Sequence, residues 1–121
     1  MKKNTYVDET HIIDLAKGCA RLLEEKKAMN VVLINLMKIN SYLDYFIIAT
    51  SNSIIHSNAL AKEIQKHLAE KGIKERAKAD LGSSWILLDF NEIIVHIFTN
   101  EMREFYQLEK LWADADTIDF K

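Results

Sequence analysis

The stretch WILLDFNEIIVHIF, residues 85–98, is the most informative part of this chain. Two runs rich in aliphatic and aromatic residues flank positions 91 and 92, and this pattern predicts an antiparallel hairpin that turns there. Side chains alternate between the two faces of a strand, so Trp85 is expected to pair with Phe98. One face of the hairpin is then wholly apolar and should belong to the core: it carries Ile86, Leu88, Phe90, Ile93, Val95 and Ile97.

The opposite face of the hairpin, called the outer face below, combines a large apolar surface with an acid and an imidazole. It carries Trp85, Leu87, Asp89, Ile94, His96 and Phe98. A second buried layer and a binding face both fit this pattern, and aromatic residues beside a few polar groups are typical of protein interfaces. A histidine in an apolar strand is more often a hydrogen-bonded structural residue than a base.

Helical and strand patterns surround the hairpin. They predict a first helix capped by Asp8 or Thr10 and running to about Lys27, strands at 31–36 and 45–50, a helix at 54–71 ended by Gly72, a short edge strand at 73–77, a final helix at 100–112 and a polar tail at 113–121. This order predicts a single domain over residues 1–121, of the α/β (α+β) class. A mixed β-sheet of about five strands should have helices packed mainly on one face.

The final helix, EMREFYQLEKLW at 101–112, places a carboxylate among its bulky apolar residues. Glu109 falls inside a wide apolar arc, and an unpaired buried carboxylate would cost several kcal/mol. Two explanations stay open. Glu109 either pairs within the fold, for example with His96 or Tyr106, or receives a basic residue from another protein. Glu101 needs no such partner, because an acid in the first turn complements the helix dipole.

Composition restricts the classes of partner. Sixteen Lys and Arg residues against eighteen Asp and Glu give a net charge of −2. Proteins that bind nucleic acid mainly through phosphates are usually basic, so no dedicated nucleic-acid site is expected, although a local basic patch remains possible. Cys19 is the only cysteine, which indicates a reducing compartment and a buried, inert thiol. The chain has no run of about 18 apolar residues and no signal-peptide core, so we expect a cytoplasmic protein without a membrane segment.

Catalytic and metal sites lack support in the sequence. The only Asp-x-Asp pair, Asp114 and Asp116, lies in the predicted tail rather than on a strand, as metal-dependent nucleotidyl transfer would require. The four histidines show no ligand spacing with Cys or acids. We therefore expect no enzyme activity, no metal and no cofactor.

Three blocks carry a resemblance to a known family: DYFIIATSNS at 44–53, WILLDFNEIIVHIF at 85–98 and EMREFYQLEKLW at 101–112. In order and spacing they resemble the ribosomal silencing factors, or Iojap-like proteins, over nearly the whole chain. Three departures from the family pattern occur. Ile54 and Ile55 follow the 50–53 loop where the family has an arginine, Lys78 and Ala79 replace a Glu-Gly pair, and Asn91 replaces a turn glycine.

The resemblance implies a nucleotidyltransferase-like topology without the catalytic carboxylates. It also implies a non-catalytic factor that binds ribosomal protein uL14 on the joining face of the large subunit. Such a factor blocks the small subunit and represses translation in starvation or stationary phase. A homodimeric assembly scaffold that uses an overlapping surface, and a nucleotidyltransferase-like enzyme, are the alternatives. The predicted partner-binding residues are Trp85, Leu87, Asp89, His96, Phe98, Arg103, Tyr106, Glu109 and Trp112.

Overall fold

A computed structural model describes residues 5–36, 45–106 and 115–121, with side chains placed in these ranges except at 5–10 and 105–106. The elements are α1 (Thr5–Glu25), β1 (Met29–Asn35), β2 (Tyr45–Ser51), α2 (Ile54–Glu70), β3 (Trp85–Asp89), β4 (Ile93–Thr99), α3 (Asn100–Tyr106) and β5 (Asp116–Ile118). The predicted α/β class with a five-stranded mixed sheet is confirmed.

The strands lie in the order β3-β4-β2-β1-β5, so β3 and β5 form the two edges of the sheet. The pair β2–β4 is parallel, and the other pairs are antiparallel. The hairpin register is the predicted one: Trp85 lies opposite Phe98 and Leu87 opposite His96. Asn91 adopts φ of 79° in the turn, a left-handed conformation that asparagine tolerates better than most residues.

The main core lies between the sheet and the two long helices. Helix α1, with buried residues such as Leu23, lies mainly over β1 and β2, and helix α2, with buried residues such as Leu68, lies over β2 and the predicted apolar face of the hairpin. A smaller cluster on the other side of the sheet includes Ile48 and Phe98 and contacts Met102 of α3. Helices therefore pack mainly on one face, as predicted, and the outer face lies on the side with the smaller cluster.

Two predicted boundaries are wrong. Residues 73–77 form no strand, because one backbone hydrogen bond, from Arg76 N to Asp89 O at 2.7 Å, is too few for a ladder with the edge of β3. Helix α1 includes residue 5, so Asp8 and Thr10 lie inside it rather than at its cap. An acid in the first turns of a helix also complements the dipole, and its presence therefore does not mark the start.

The predicted polar tail contains an element that the sequence pattern did not indicate. β5 pairs with Leu33–Asn35 of β1, and Phe120 is buried in the main core. Arg21 Nη1 donates a hydrogen bond to the Phe120 carbonyl, which fixes the chain end against α1. The end of the chain therefore completes both the sheet and the core. The second half of the predicted final helix, residues 107–112, lies outside the described residues.

Candidate functional site

The outer face divides into an exposed edge and a buried centre. Trp85 and Leu87 on the edge strand β3 are 39% and 44% exposed. Their neighbours Ile94, His96 and Phe98 on the central strand β4 are buried. The interpretation as a buried layer therefore holds for β4, which has strands on both sides, whereas β3 has one neighbour among the described strands and leaves its side chains exposed. The interpretation of the exposed part as a binding face stays a prediction.

Trp85 is exposed but held in a fixed orientation. Its indole Nε1 donates a hydrogen bond to His96 Nδ1 at 3.1 Å. The indole also contacts the Phe98 ring, with the ring centroids 4.8 Å apart. A large side chain that is ordered before binding loses little conformational entropy when a partner covers it. This geometry suits Trp85 to act as an anchor residue.

His96 contacts the Trp85 indole and is itself packed against two aromatic rings. The Phe46 ring approaches its imidazole edge-on, with centroids 4.7 Å apart, and the Phe98 ring stacks on it at 5.9 Å. Burial lowers the pKa of His96 to about 4, because the charged imidazolium is poorly solvated there. The imidazole is therefore neutral at physiological pH, and its Nδ1 is available as an acceptor for the indole.

Two other predicted partner contacts are buried in this structure. His96 and Phe98 have 5% and 0% exposed surface. Both are central-strand residues whose rings pack beneath Trp85. Their observed contacts position the exposed indole, and their direct contact with a partner stays a prediction.

The lowered pKa of His96 predicts a pH dependence of stability. An unfolded histidine titrates near 6.5, so between pH 6.5 and about 4 the unfolded chain binds more protons than the folded one. The contribution of neutral His96 is thus complete above pH 6.5 and is lost as the pH falls. We expect this residue to lower the free energy of unfolding by about 2 kcal/mol between pH 7 and pH 5.

Urea denaturation at the two pH values, for wild type and His96→Asn, measures this effect. Asparagine retains an acceptor near the position of Nδ1 but does not titrate. The wild-type protein should lose about 2 kcal/mol more stability than the variant across this pH range. An equal loss in both proteins would show that His96 is not the titrating group.

Asp89 organises the hairpin turn. Its Oδ1 accepts a hydrogen bond from Asn91 N at 2.9 Å, and its Oδ2 lies 3.7 Å from Arg76 Nε. The Arg76 Nη1 also donates to Asn91 Oδ1 at 2.6 Å. The Asp89 carboxylate thus forms an ion pair with Arg76. Its further role of attracting a partner stays a prediction.

Arg103 is a buried residue that makes internal hydrogen bonds, and it is not a surface group. It is buried, and its Nη1 donates to Thr50 Oγ1 at 2.7 Å and to the Asn30 carbonyl at 3.0 Å. These bonds fix α3 to the ends of β1 and β2. Arg103 therefore has an internal role in this structure, and its predicted contact with a partner stays a prediction. Sequence periodicity gave no sign of its acceptors.

The free edge of β3 is poorly suited to pairing with another strand. The Ser83 hydroxyl accepts from Trp85 N at 3.1 Å and donates to the Trp85 carbonyl at 3.0 Å. At the other end of β3, Arg76 N donates a hydrogen bond to the Asp89 carbonyl. Native sheets protect exposed edges by such local coverage. A partner is therefore expected to dock on the side chains of Trp85 and Leu87 rather than extend the sheet.

Three predicted site residues have no described side chain. Glu109 and Trp112 lie outside the described residues, and Tyr106 is described only in its backbone. Their predicted partner contacts stay predictions. The exposed, described part of the candidate site is therefore centred on Trp85 and Leu87.

Cys19 is buried, and burial raises the pKa of its thiol to about 12, so the thiol is inert at neutral pH. Within residues 5–36, 45–106 and 115–121, no three His, Cys, Asp or Glu side chains cluster as metal ligands. Over the same ranges, no helix combines the length and apolar character needed to cross a membrane.

Comparison with known proteins assigns this chain to a family. A family model described as "Ribosomal silencing factor during starvation" matches residues 9–121. The chain belongs to the ribosomal silencing factor family, whose name denotes a regulator of ribosomes. It is similar to the ribosomal silencing factor RsfS of Halalkalibacterium halodurans, with 34% identity over 109 residues that cover 89% of this chain and 93% of the relative.

Two further proteins widen the comparison. The chain is 31% identical to the mouse protein "Mitochondrial assembly of ribosomal large subunit protein 1", over 76% of this chain and 42% of the mouse protein. A crystal structure from Bacillus halodurans superposes with a TM-score of 0.72 at 31% identity and covers 91% of this chain and 98% of that one. The fold and the family assignment therefore rest on both sequence and structure.

Proposed function

We propose that this protein binds the large ribosomal subunit through ribosomal protein uL14 and keeps the small subunit from joining. Family membership supports a role in ribosome silencing. The name of the mouse relative links that protein to the large subunit. The observation that carries the proposal is the exposed, hydrogen-bonded indole of Trp85 beside the exposed Leu87.

The outer face has the properties of a small docking surface. Trp85 presents a large aromatic area whose orientation is fixed by His96 and Phe98. Tryptophan is among the residue types that most often dominate binding energy, and such anchors lie in the centre of an interface. Leu87 adds aliphatic surface on the same strand and the same face. Together they give a partner a rigid apolar centre to cover.

Charge favours a basic partner. The chain carries a net charge of −2, whereas a ribosomal protein that contacts RNA is expected to be basic. Opposite charges at the rim of an interface mainly raise the association rate. Asp89 is the described acid of the outer face, and Glu109 is the predicted acid of the final helix. Both are proposed to face the basic partner.

The proposed mechanism is steric. One bound molecule covers part of the surface that the small subunit needs, so inhibition follows occupancy and requires neither turnover nor a cofactor. Removal of the protein restores joining. The alternative of a homodimer uses the same exposed side chains, so a second copy would compete with the large subunit for Trp85 and Leu87.

Co-sedimentation tests this proposal. The protein, at fixed concentration, is mixed with purified large subunits, small subunits or assembled ribosomes, and each mixture is spun through a sucrose cushion. We expect stoichiometric recovery with large subunits and background recovery with the other two. Equal recovery with large subunits and assembled ribosomes would contradict a site on the joining face.

The homodimer alternative is tested by light scattering, which measures the mass of the protein by itself and again after uL14 is added. The comparison reports whether a dimer dissociates as the complex forms.

A further inference from the structure

Arg76 presents a cation at the turn end of the outer face. It lies in the segment between α2 and β3, and its Nε is 3.7 Å from Asp89 Oδ2. Its Nη1 donates a hydrogen bond to Asn91 Oδ1 at 2.6 Å. The Arg76 side chain is 62% exposed, whereas that of Asp89 is 22% exposed. The more accessible charge at this end of the outer face is therefore positive.

The guanidinium of Arg76 is oriented and still has donors to offer. Its backbone N–H is fixed by the Asp89 carbonyl, and its Nε and Nη1 face the Asp89 carboxylate and the Asn91 amide oxygen. A guanidinium has five N–H donors in a rigid fork, so these contacts leave Nη2 for a further acceptor. An oriented arginine loses little conformational entropy on binding, and its fork matches the oxygens of a carboxylate or a phosphate.

The segment around Arg76 is locally basic. Residues 71–78 contain four Lys or Arg and one Glu, a net charge of +3 in a chain whose total is −2. The acid, Glu75, is bonded to a glutamine side chain of α2 through Oε1, and its Oε2 is buried. Lys74 and Lys78 are exposed. Each is two residues from Arg76, so the Cα atoms are at most roughly 7 Å apart, less than the Debye length of about 8 Å at physiological salt.

The setting favours an RNA phosphate over a protein carboxylate as the anion for Arg76. A ribosomal protein that contacts RNA is expected to be basic, so a basic protein alone would leave this cation without a counterpart. The RNA that such a protein binds carries a phosphate at every nucleotide. Arginine can bind a phosphate through two parallel N–H bonds, and nearby lysines attract the RNA backbone whatever its sequence.

We propose that Arg76 contacts a phosphate of ribosomal RNA next to the protein that covers Trp85 and Leu87, a contact that rests on the proposed function and adds RNA to its partner. Trp85 and Asp89 are the two ends of β3, four residues apart. The apolar anchor and the cation are therefore separated by about 13 Å along the strand. One docked molecule thus spans a protein surface and the RNA beside it.

The salt dependence of binding to large subunits tests this contact. Each neutralised phosphate releases counterions, so the slope of log K against log salt changes by about 0.7–0.9 per contact. Fluorescently labelled wild type and Arg76→Gln are titrated with large subunits at several salt concentrations. Arg76→Gln should bind about two- to fivefold more weakly, and its slope should be smaller by about 0.7–0.9.

Two matched variants control for charge and for geometry. Lys62→Gln removes an exposed charge from α2, on the opposite side of the sheet from the outer face, and should match wild type in both affinity and slope. Arg76→Lys retains the charge but not the planar fork, so it should retain most of the slope while binding more weakly. Circular dichroism of each variant checks that the fold is retained.

Isolated uL14 and a short oligouridylate separate RNA from protein. Arg76→Gln should bind isolated uL14 at least as tightly as wild type does, because no RNA is present. Oligouridylate, titrated at low salt into the ¹⁵N-labelled full chain, should shift the Arg76 Nε–H signal, and Trp85→Ala should show the same shift. If wild type does not bind large subunits, the proposed function fails, and the presence or absence of this shift decides the RNA contact separately.

Three results with the large subunit would overturn the proposal. An unchanged salt slope in Arg76→Gln would show that no phosphate meets this side chain. An equal loss of affinity for isolated uL14 would assign the anion to the protein. Tighter binding of Arg76→Gln to large subunits would show that Arg76 only shields Asp89 from a basic partner.

Discussion

Replacement of Trp85 by alanine is expected to weaken binding to large subunits by roughly 30-fold or more and to leave the fold in place. The indole is 39% exposed in the free protein, and its buried part contacts Phe98 and His96 on the same face. Truncation of a central aromatic anchor commonly costs about 2–4 kcal/mol of binding free energy, and 1.4 kcal/mol corresponds to tenfold. Titration of fluorescently labelled protein with large subunits measures the change.

Two control variants make the Trp85 result interpretable. Ile55→Ala removes a side chain that is 82% exposed on α2, the helix that packs on the opposite side of the sheet from the outer face, and should bind normally. Trp85→Phe retains an aromatic ring but loses the donor to His96, so its affinity should lie between those of wild type and Trp85→Ala. If Trp85→Ala is unfolded by circular dichroism, the indole belongs to the core. If it folds and binds normally, the outer face is not the docking surface.

Replacement of Phe120 by alanine is expected to lower the free energy of unfolding by about 3–5 kcal/mol, the usual cost of removing a buried phenyl ring. Phe120 is 6% exposed and packs in the main core, next to the strand that closes the sheet edge. That amount is a large share of the 5–15 kcal/mol that stabilises a typical domain. Urea denaturation followed by circular dichroism measures it.

The neighbouring β5 position provides the comparison. Thr117 is exposed, so Thr117→Ala should change stability by no more than about 0.5 kcal/mol. A Phe120→Ala variant that is as stable as Thr117→Ala would show that the chain end does not contribute to the core. In that case, the sequence-based interpretation of residues 113–121 as a polar tail would be the better one.

The hairpin could be predicted because its signal is local. Alternation of apolar and polar residues fixes which side chains share a face, and the turn at 91–92 fixes the register. Ile86, Leu88 and Val95 lie in the core as predicted. Alternation does not reveal whether a strand is central or at an edge. For that reason, the sequence could not show that His96 is buried whereas Trp85 is exposed.

Long-range contacts account for the other differences. Arg103 reaches Thr50 and Asn30, which are distant in sequence, and no local pattern marks such a bond. Strand β5 has only three residues, too few for a periodic signal, and it forms by pairing with β1. The contacts of Arg76 with the hairpin turn likewise join segments that are separate in the sequence. These features depend on tertiary packing, so the sequence alone could not predict them.

The proposed mechanism requires that a molecule bound at the outer face prevents subunit joining. Its most direct test is light scattering on rapid mixing of purified small and large subunits, with the protein added to the large subunits beforehand. The amplitude of the association signal should fall in proportion to the occupied fraction of large subunits and vanish at saturation. Trp85→Ala should require roughly 30-fold more protein for the same effect. An unchanged amplitude with large subunits fully occupied by wild-type protein would contradict the steric mechanism.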